Sequence, residues 1–76
     1  MKEFNIRLST IEDVRNFVDV VSRCEYDVDL SSGRYIVDGK SIIGIFSLDL
    51  MGPLRMTVHG DEIGEMEEKL SRFLEG

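Results

Sequence analysis

Apolar and polar residues alternate from the beginning of the chain. Phe4, Ile6 and Leu8 are separated by Asn5 and Arg7, the period-two pattern of a strand with one buried face, over about residues 2–8. Ser9-Thr10-Ile11-Glu12 then reads as a capping box, the serine oxygen accepting from an early helix amide and Glu12 reaching back. Beyond it the period changes. Ile11, Val14, Phe17, Val18, Val21 and Cys24 fall three or four apart, which predicts a helix over about 10–23 with one apolar face.

Tyr26, Val28 and Leu30 alternate with Asp27, Asp29 and Ser31, and Arg34 to Val37 is a second β-prone run after Ser31-Ser32-Gly33, so the two form a hairpin. Asp38-Gly39 is a turn. The run Ile42-Ile43-Gly44-Ile45-Phe46-Ser47-Leu48 has the length of either a buried strand or a short helix; its composition favours a strand, while Ser41 before it is a good N-cap. Met51-Gly52-Pro53 breaks the chain, and Leu54, Met56 and Val58 alternate with Arg55, Thr57 and His59. Gly60-Asp61 opens a last helix with Ile63, Met66, Leu70, Phe73 and Leu74 on one face. The predicted order is β-α-β-β-(α or β)-β-α, without repeats or linkers.

At 76 residues the chain has room for one domain, 1–76, with one modest core. Nine Lys and Arg against fifteen Asp and Glu leave a net charge of −6 spread along the chain, which would repel a phosphate backbone and argues against nucleic acid as a partner. Cys24 is the single cysteine, so no internal disulfide can form, and no Cys or His cluster has the makeup of a zinc site. Cys24 itself, beside Glu25 and without a neighbouring histidine, reads as a small core side chain rather than a redox thiol. No apolar run approaches the roughly 20 residues that cross a bilayer. The expectation is a cytoplasmic protein, away from the membrane, without cofactor or metal.

The second half carries a resemblance. Gly39-Lys40-Ser41-Ile42-Ile43-Gly44-Ile45-Phe46-Ser47-Leu48, followed a dozen residues later by Gly60-Asp61-Glu62 and an amphipathic helix, resembles HPr, the histidine-containing phosphocarrier family of the bacterial phosphoenolpyruvate-dependent sugar phosphotransferase system. The element order and length agree over the whole chain. The resemblance implies that about 41–49 is a helix. It also implies an α+β open-faced β-sandwich, β-α-β-β-α-β-α, with a four-stranded antiparallel sheet in the order 1-4-2-3 covered on one face by three helices.

The family carries its phosphoryl group on a histidine at the start of the first helix, within a Gly-Leu-His-x-Arg-Pro-Ala-like motif that this chain lacks. Matching Phe17-Val18 to the family's Phe-Val puts Thr10 at the place of the histidine and Glu12 at that of the arginine. Glu12 and Asp13 suit the helix dipole as first-turn acids but would repel a phosphate. A phosphothreonine ester would not pass its phosphoryl group onward, so Thr10 reads as a helix-start residue. His59, the chain's one histidine, falls at the end of the fourth strand, opposite the loop that follows the first, and reads as a surface strand residue.

Ser41 matches the serine that an ATP-dependent kinase phosphorylates in many Gram-positive members of the family. Capping and phosphorylation are compatible there, with Lys40 adjacent. By the family's pattern Ile45 and Leu48 face the core, while Ile42, Ile43 and Phe46 match an exposed patch that docks partners; the plainer alternative folds Phe46 and one isoleucine down over the sheet edge. Gly44 serves close approach. The resemblance thus implies a non-enzymatic regulatory or binding module whose partners are phosphotransferase enzymes, a serine kinase or a transcriptional regulator, and a monomer is expected rather than an oligomer. Two other classes stay open: a phosphocarrier with an unrecognised acceptor, which acid-labile labelling separates, and an interaction protein that reuses the fold.

Overall fold

The computed structural model describes residues 1–75. Five strands, β1 (Lys2–Ile6), β2 (Val28–Ser32), β3 (Tyr35–Asp38), β4 (Leu54–Val58) and β5 (Leu74–Glu75), form one antiparallel sheet in the order β3-β2-β4-β1-β5. Helices α1 (Ile11–Val21), α2 (Ile42–Phe46) and α3 (Gly64–Lys69) pack on one face. Read from its other edge, the order of the first four strands is the expected 1-4-2-3. The correction is the fifth strand.

That strand replaces the end of the predicted last helix. α3 stops at Lys69, a 3-10 turn follows at Ser71–Phe73, and Leu74 and Glu75 pair with Ile6 and Asn5. β1 would otherwise be an edge with unpaired backbone groups, and the C-terminal residues satisfy them: Arg7 N also donates to the Phe73 carbonyl at 2.9 Å. α3 also begins later than the turn at Gly60-Asp61 suggests. Gly60 lies under the ring of Tyr26, and the Asp61 carboxylate faces the N-terminal ammonium at 3.4 Å instead of capping a helix. The apolar positions nevertheless do what their spacing requires, since Ile63, Met66, Leu70 and Phe73 are all buried.

The core is the sum of the predicted faces. Ile6, Val28, Leu30, Leu54, Met56 and Val58 line the inner side of the sheet, and Val14, Phe17 and Val21 of α1 close over them, Phe17 with no exposed surface. Leu8 is equally buried although β1 ends at Ile6, so the alternation outlasts the strand. Cys24, half-buried, packs against this core, as expected. The opposite face of the sheet, carrying Glu3, Asn5, Asp29, Ser31, Arg55 and Thr57, is uncovered, and none of these residues is buried.

The ambiguous segment is helical. Ile42–Phe46 forms α2, shorter than the predicted 41–49, with Ser41 Oγ accepting from Gly44 N at 3.1 Å. A helix places Ile42, Ile45 and Leu48 on one side, where Ile45 is fully buried and Leu48 nearly so. Gly44 permits the close approach: a β-carbon there would stand 3.3 Å from Cβ of Val37 in β3. Among the described residues no helix is long and apolar enough to cross a membrane.

Candidate functional site

The start of α1 is where the resemblance locates phosphocarrier chemistry. Thr10, not Ser9, is the N-cap. Its Oγ1 accepts from Asp13 N at 3.0 Å, and Asp13 Oδ2 in turn accepts from Ser9 N at 2.9 Å. The hydroxyl half of the expected box is therefore shifted by one residue, and Asp13 takes the returning role given to Glu12, reaching the amide of Ser9 just before the cap. The cause is the backbone: Thr10 has extended dihedrals (φ −132°, ψ 165°) and α1 begins at Ile11, so Asp13 is the third helical residue.

Two arginines stand near this end, and one of them, Arg7, is already ion-paired. Arg7 Nε donates to Glu75 Oε2 at 3.0 Å and Nη1 to the Met51 carbonyl at 3.3 Å, while the Arg72 guanidinium lies 4.6 Å from the centre of the Phe73 ring. Asp13 and Glu75 line the same hollow as both arginines. The helix end is thus capped from within by a hydroxyl and a carboxylate, with no imidazole nearby.

The chain's histidine stands at the far end of the sheet. β1 and β4 run antiparallel with Ile6 opposite Leu54 and Lys2 opposite Val58, so His59 lies beside the N-terminus, at the opposite end of β1 from Thr10. Its Nε2 is 2.8 Å from Asp29 Oδ2 on the uncovered face, in a hollow also lined by Asp27, Ile36 and Asp38. The placement agrees with the surface-strand expectation. Among the described residues no group of three or more His, Cys, Asp or Glu could hold a metal ion.

At α2 the candidates separate. Ser41 caps the helix as expected and is half-buried. Ile43 is 81% exposed and Phe46 45%, but Ile42 is half-buried and packs against the core, which corrects its place in the exposed patch. The reason is helical geometry, because Ile42 shares the Ile45 side of the helix. Lys40 is corrected too: its ammonium donates to the Cys24 carbonyl at 2.8 Å, just beyond the C-terminal end of α1, where unpaired carbonyls attract a cation. It is held there, and does not stand free beside Ser41.

Ile11 and Met51 are among the exposed apolar residues that their sequence pattern did not foretell. Ile11, assigned to the apolar face of α1, is 65% exposed because the first turn of the helix projects past the core. Met51, read only as part of a chain break, is 88% exposed, and the Arg7 bond to its carbonyl ties the loop after α2 to the end of β1. Position in the first turn was the available signal for Ile11; none existed for Met51.

No family model matches the sequence, and no curated protein matches it. Solved structures do. A crystal structure of HPr-C-His from Thermoanaerobacter tengcongensis aligns with a TM-score of 0.79 over 95% of this chain and 89% of that one, at 24% identity. At this identity the likeness shows the fold: an α+β, HPr-like arrangement of an antiparallel sheet with helices.

Proposed function

We propose that this chain is a non-enzymatic binding module of phosphotransferase-type circuitry that does not carry phosphohistidine. The observation that carries the reading is the start of α1. Thr10 occupies the cap, Asp13 closes it from the other side, and Arg7 is already paired with Glu75, so an incoming phosphate would meet carboxylates and no imidazole. His59 is a poor substitute acceptor, because Asp27, Asp29 and Asp38 line its hollow and would repel a phosphate.

Docking in this reading uses the outer side of α2, with Ile43 and Phe46 as the exposed apolar contacts, next to Ser41. Ser41 is the candidate for a regulatory phosphate, since its oxygen sits at the helix start and an added negative charge there is compatible with the local dipole. Partners are proteins: phosphotransferase enzymes, a serine kinase or a regulator. The test is incubation with phosphoenolpyruvate and the general phosphotransferase enzyme. No acid-labile phosphoryl group should form on the protein, and acid-labile label lost in His59→Ala would overturn the reading in favour of an active carrier.

A further inference from the structure

The sheet has two edges, and only one is completed. β1 is finished by β5, whereas β3, at the other end of the strand order, has no neighbour beyond it among the described residues. This edge also carries two of the largest exposed apolar side chains, Tyr35 at 75% and Ile36 at 69% exposure. An open edge with apolar side chains on both faces is a template for another strand.

The hairpin fixes which backbone groups are free. Ser32 and Tyr35 close a two-residue turn at Gly33-Arg34, with a positive φ (59°) at Gly33 alone, and a closing pair of this kind exchanges both its hydrogen bonds. Tyr35 and Val37 therefore point their amides and carbonyls at β2, and Ile36 points its pair at the free edge. The Asp38 carbonyl agrees with this alternation, since it accepts from Ser41 N at 3.0 Å rather than from β2.

We infer that a second copy of this chain pairs with this edge, β3 against β3, antiparallel about a two-fold axis at Ile36. Only registers that join outward-facing residues can form hydrogen bonds, and among them the one centred on Ile36 places Arg34 of each copy opposite Asp38 of the other. The sequence Arg34-Tyr35-Ile36-Val37-Asp38 is thus complementary to itself, with a cation and an anion at equal distances from its centre. Shifting the centre to Tyr35 or Val37 loses both charge pairs. In the centred register Ile36 meets Ile36 on the uncovered face, and Tyr35 meets Val37 on the helix side, so both exposed apolar residues gain cover.

Four residues make a small contact, and each copy has a net charge of −6, so association belongs to the weak, reversible class and needs salt to screen the long-range repulsion. The sequence-based expectation of a monomer then applies to dilute solution.

Sedimentation equilibrium from about 10 µM to about 1 mM in roughly 0.15 M salt tests the pairing. The wild type should shift from monomer to dimer across this range. Arg34→Asp places like charges at both ends of the register, as does Asp38→Arg, and each variant should associate at least about tenfold more weakly. An equimolar mixture of the two restores opposite charges at both ends, so it should dimerise as well as the wild type although neither variant does so alone. Ile36→Pro removes an amide only from the free edge and should leave the monomer's circular dichroism unchanged while abolishing the dimer. A wild type that stays monomeric to about 1 mM, or a mixture that associates no better than its components, overturns the proposal.

Discussion

His59 Nε2 and Asp29 Oδ2 lie 2.8 Å apart across the uncovered face of the sheet, joining the end of β4 to β2. Both side chains are slightly more than two-fifths exposed, so solvent screens the pair and it adds little to folding. His59→Ala should therefore lower stability by no more than about 1 kcal/mol in urea denaturation. It should also leave the absence of acid-labile phosphorylation unchanged. A larger loss would mean that the pair orders the β2–β4 contact beyond its own two side chains.

Gly60 and Tyr26 form the tightest glycine contact among the described residues: a β-carbon at position 60 would overlap Cγ, Cδ1 and Cδ2 of the Tyr26 ring. Gly60→Ala should destabilise by roughly 1–3 kcal/mol through overpacking. In a Tyr26→Ala background the same substitution should cost far less, a coupling that a double-mutant cycle reads directly. Gly64→Ala is the contrast, because nothing lies within 4 Å of a β-carbon there and the position opens α3; it should be neutral or stabilising by up to about 1 kcal/mol.

The α1 cap has two halves that can be removed separately. Thr10→Ala removes the acceptor for Asp13 N, and Asp13→Ala removes the acceptor for Ser9 N. Each should cost about 0.5–2 kcal/mol, with the double variant costing less than the sum because the halves support one geometry. Neither should create or abolish phosphoryl transfer.

Ile43, Phe46 and Phe17 separate docking from packing. Ile43→Ala should change stability by within about 0.5 kcal/mol, and Phe46→Ala by little more. Phe17→Ala, in the centre of the core, should cost roughly 3–5 kcal/mol. Ile42→Ala should fall between them, since its side chain packs against the core. Ser41→Asp keeps an acceptor at the cap and should barely move the denaturation midpoint. A loss at Ile43 or Phe46 as large as at Phe17 would remove the docking surface.

The sequence by itself determined the first four strands and α1, because period-two and period-3.6 patterns sort side chains to one face before any partner is present. Phe4, Ile6 and Leu8, then Val14, Phe17 and Val21, needed only to find each other. The missing imidazole near Thr10 was equally legible, since chemistry absent from the chain cannot be supplied by folding. Position in space was not. The run at 42–48 reads as a strand locally and becomes a helix because that form buries Ile42, Ile45 and Leu48 on one side and lets Gly44 approach Val37. The last residues carry helical spacing yet end as β5, because the unpaired edge of β1 offers Leu74 and Glu75 hydrogen bonds that a further helical turn would forgo. Lys40 is adjacent to Ser41 in sequence, but its ammonium reaches the Cys24 carbonyl, a partner that exists only once α1 and α2 lie side by side. Periodicity is a property of one segment; hydrogen bonds and contacts between segments belong to the assembled sheet and helices, and they decided each of these three outcomes.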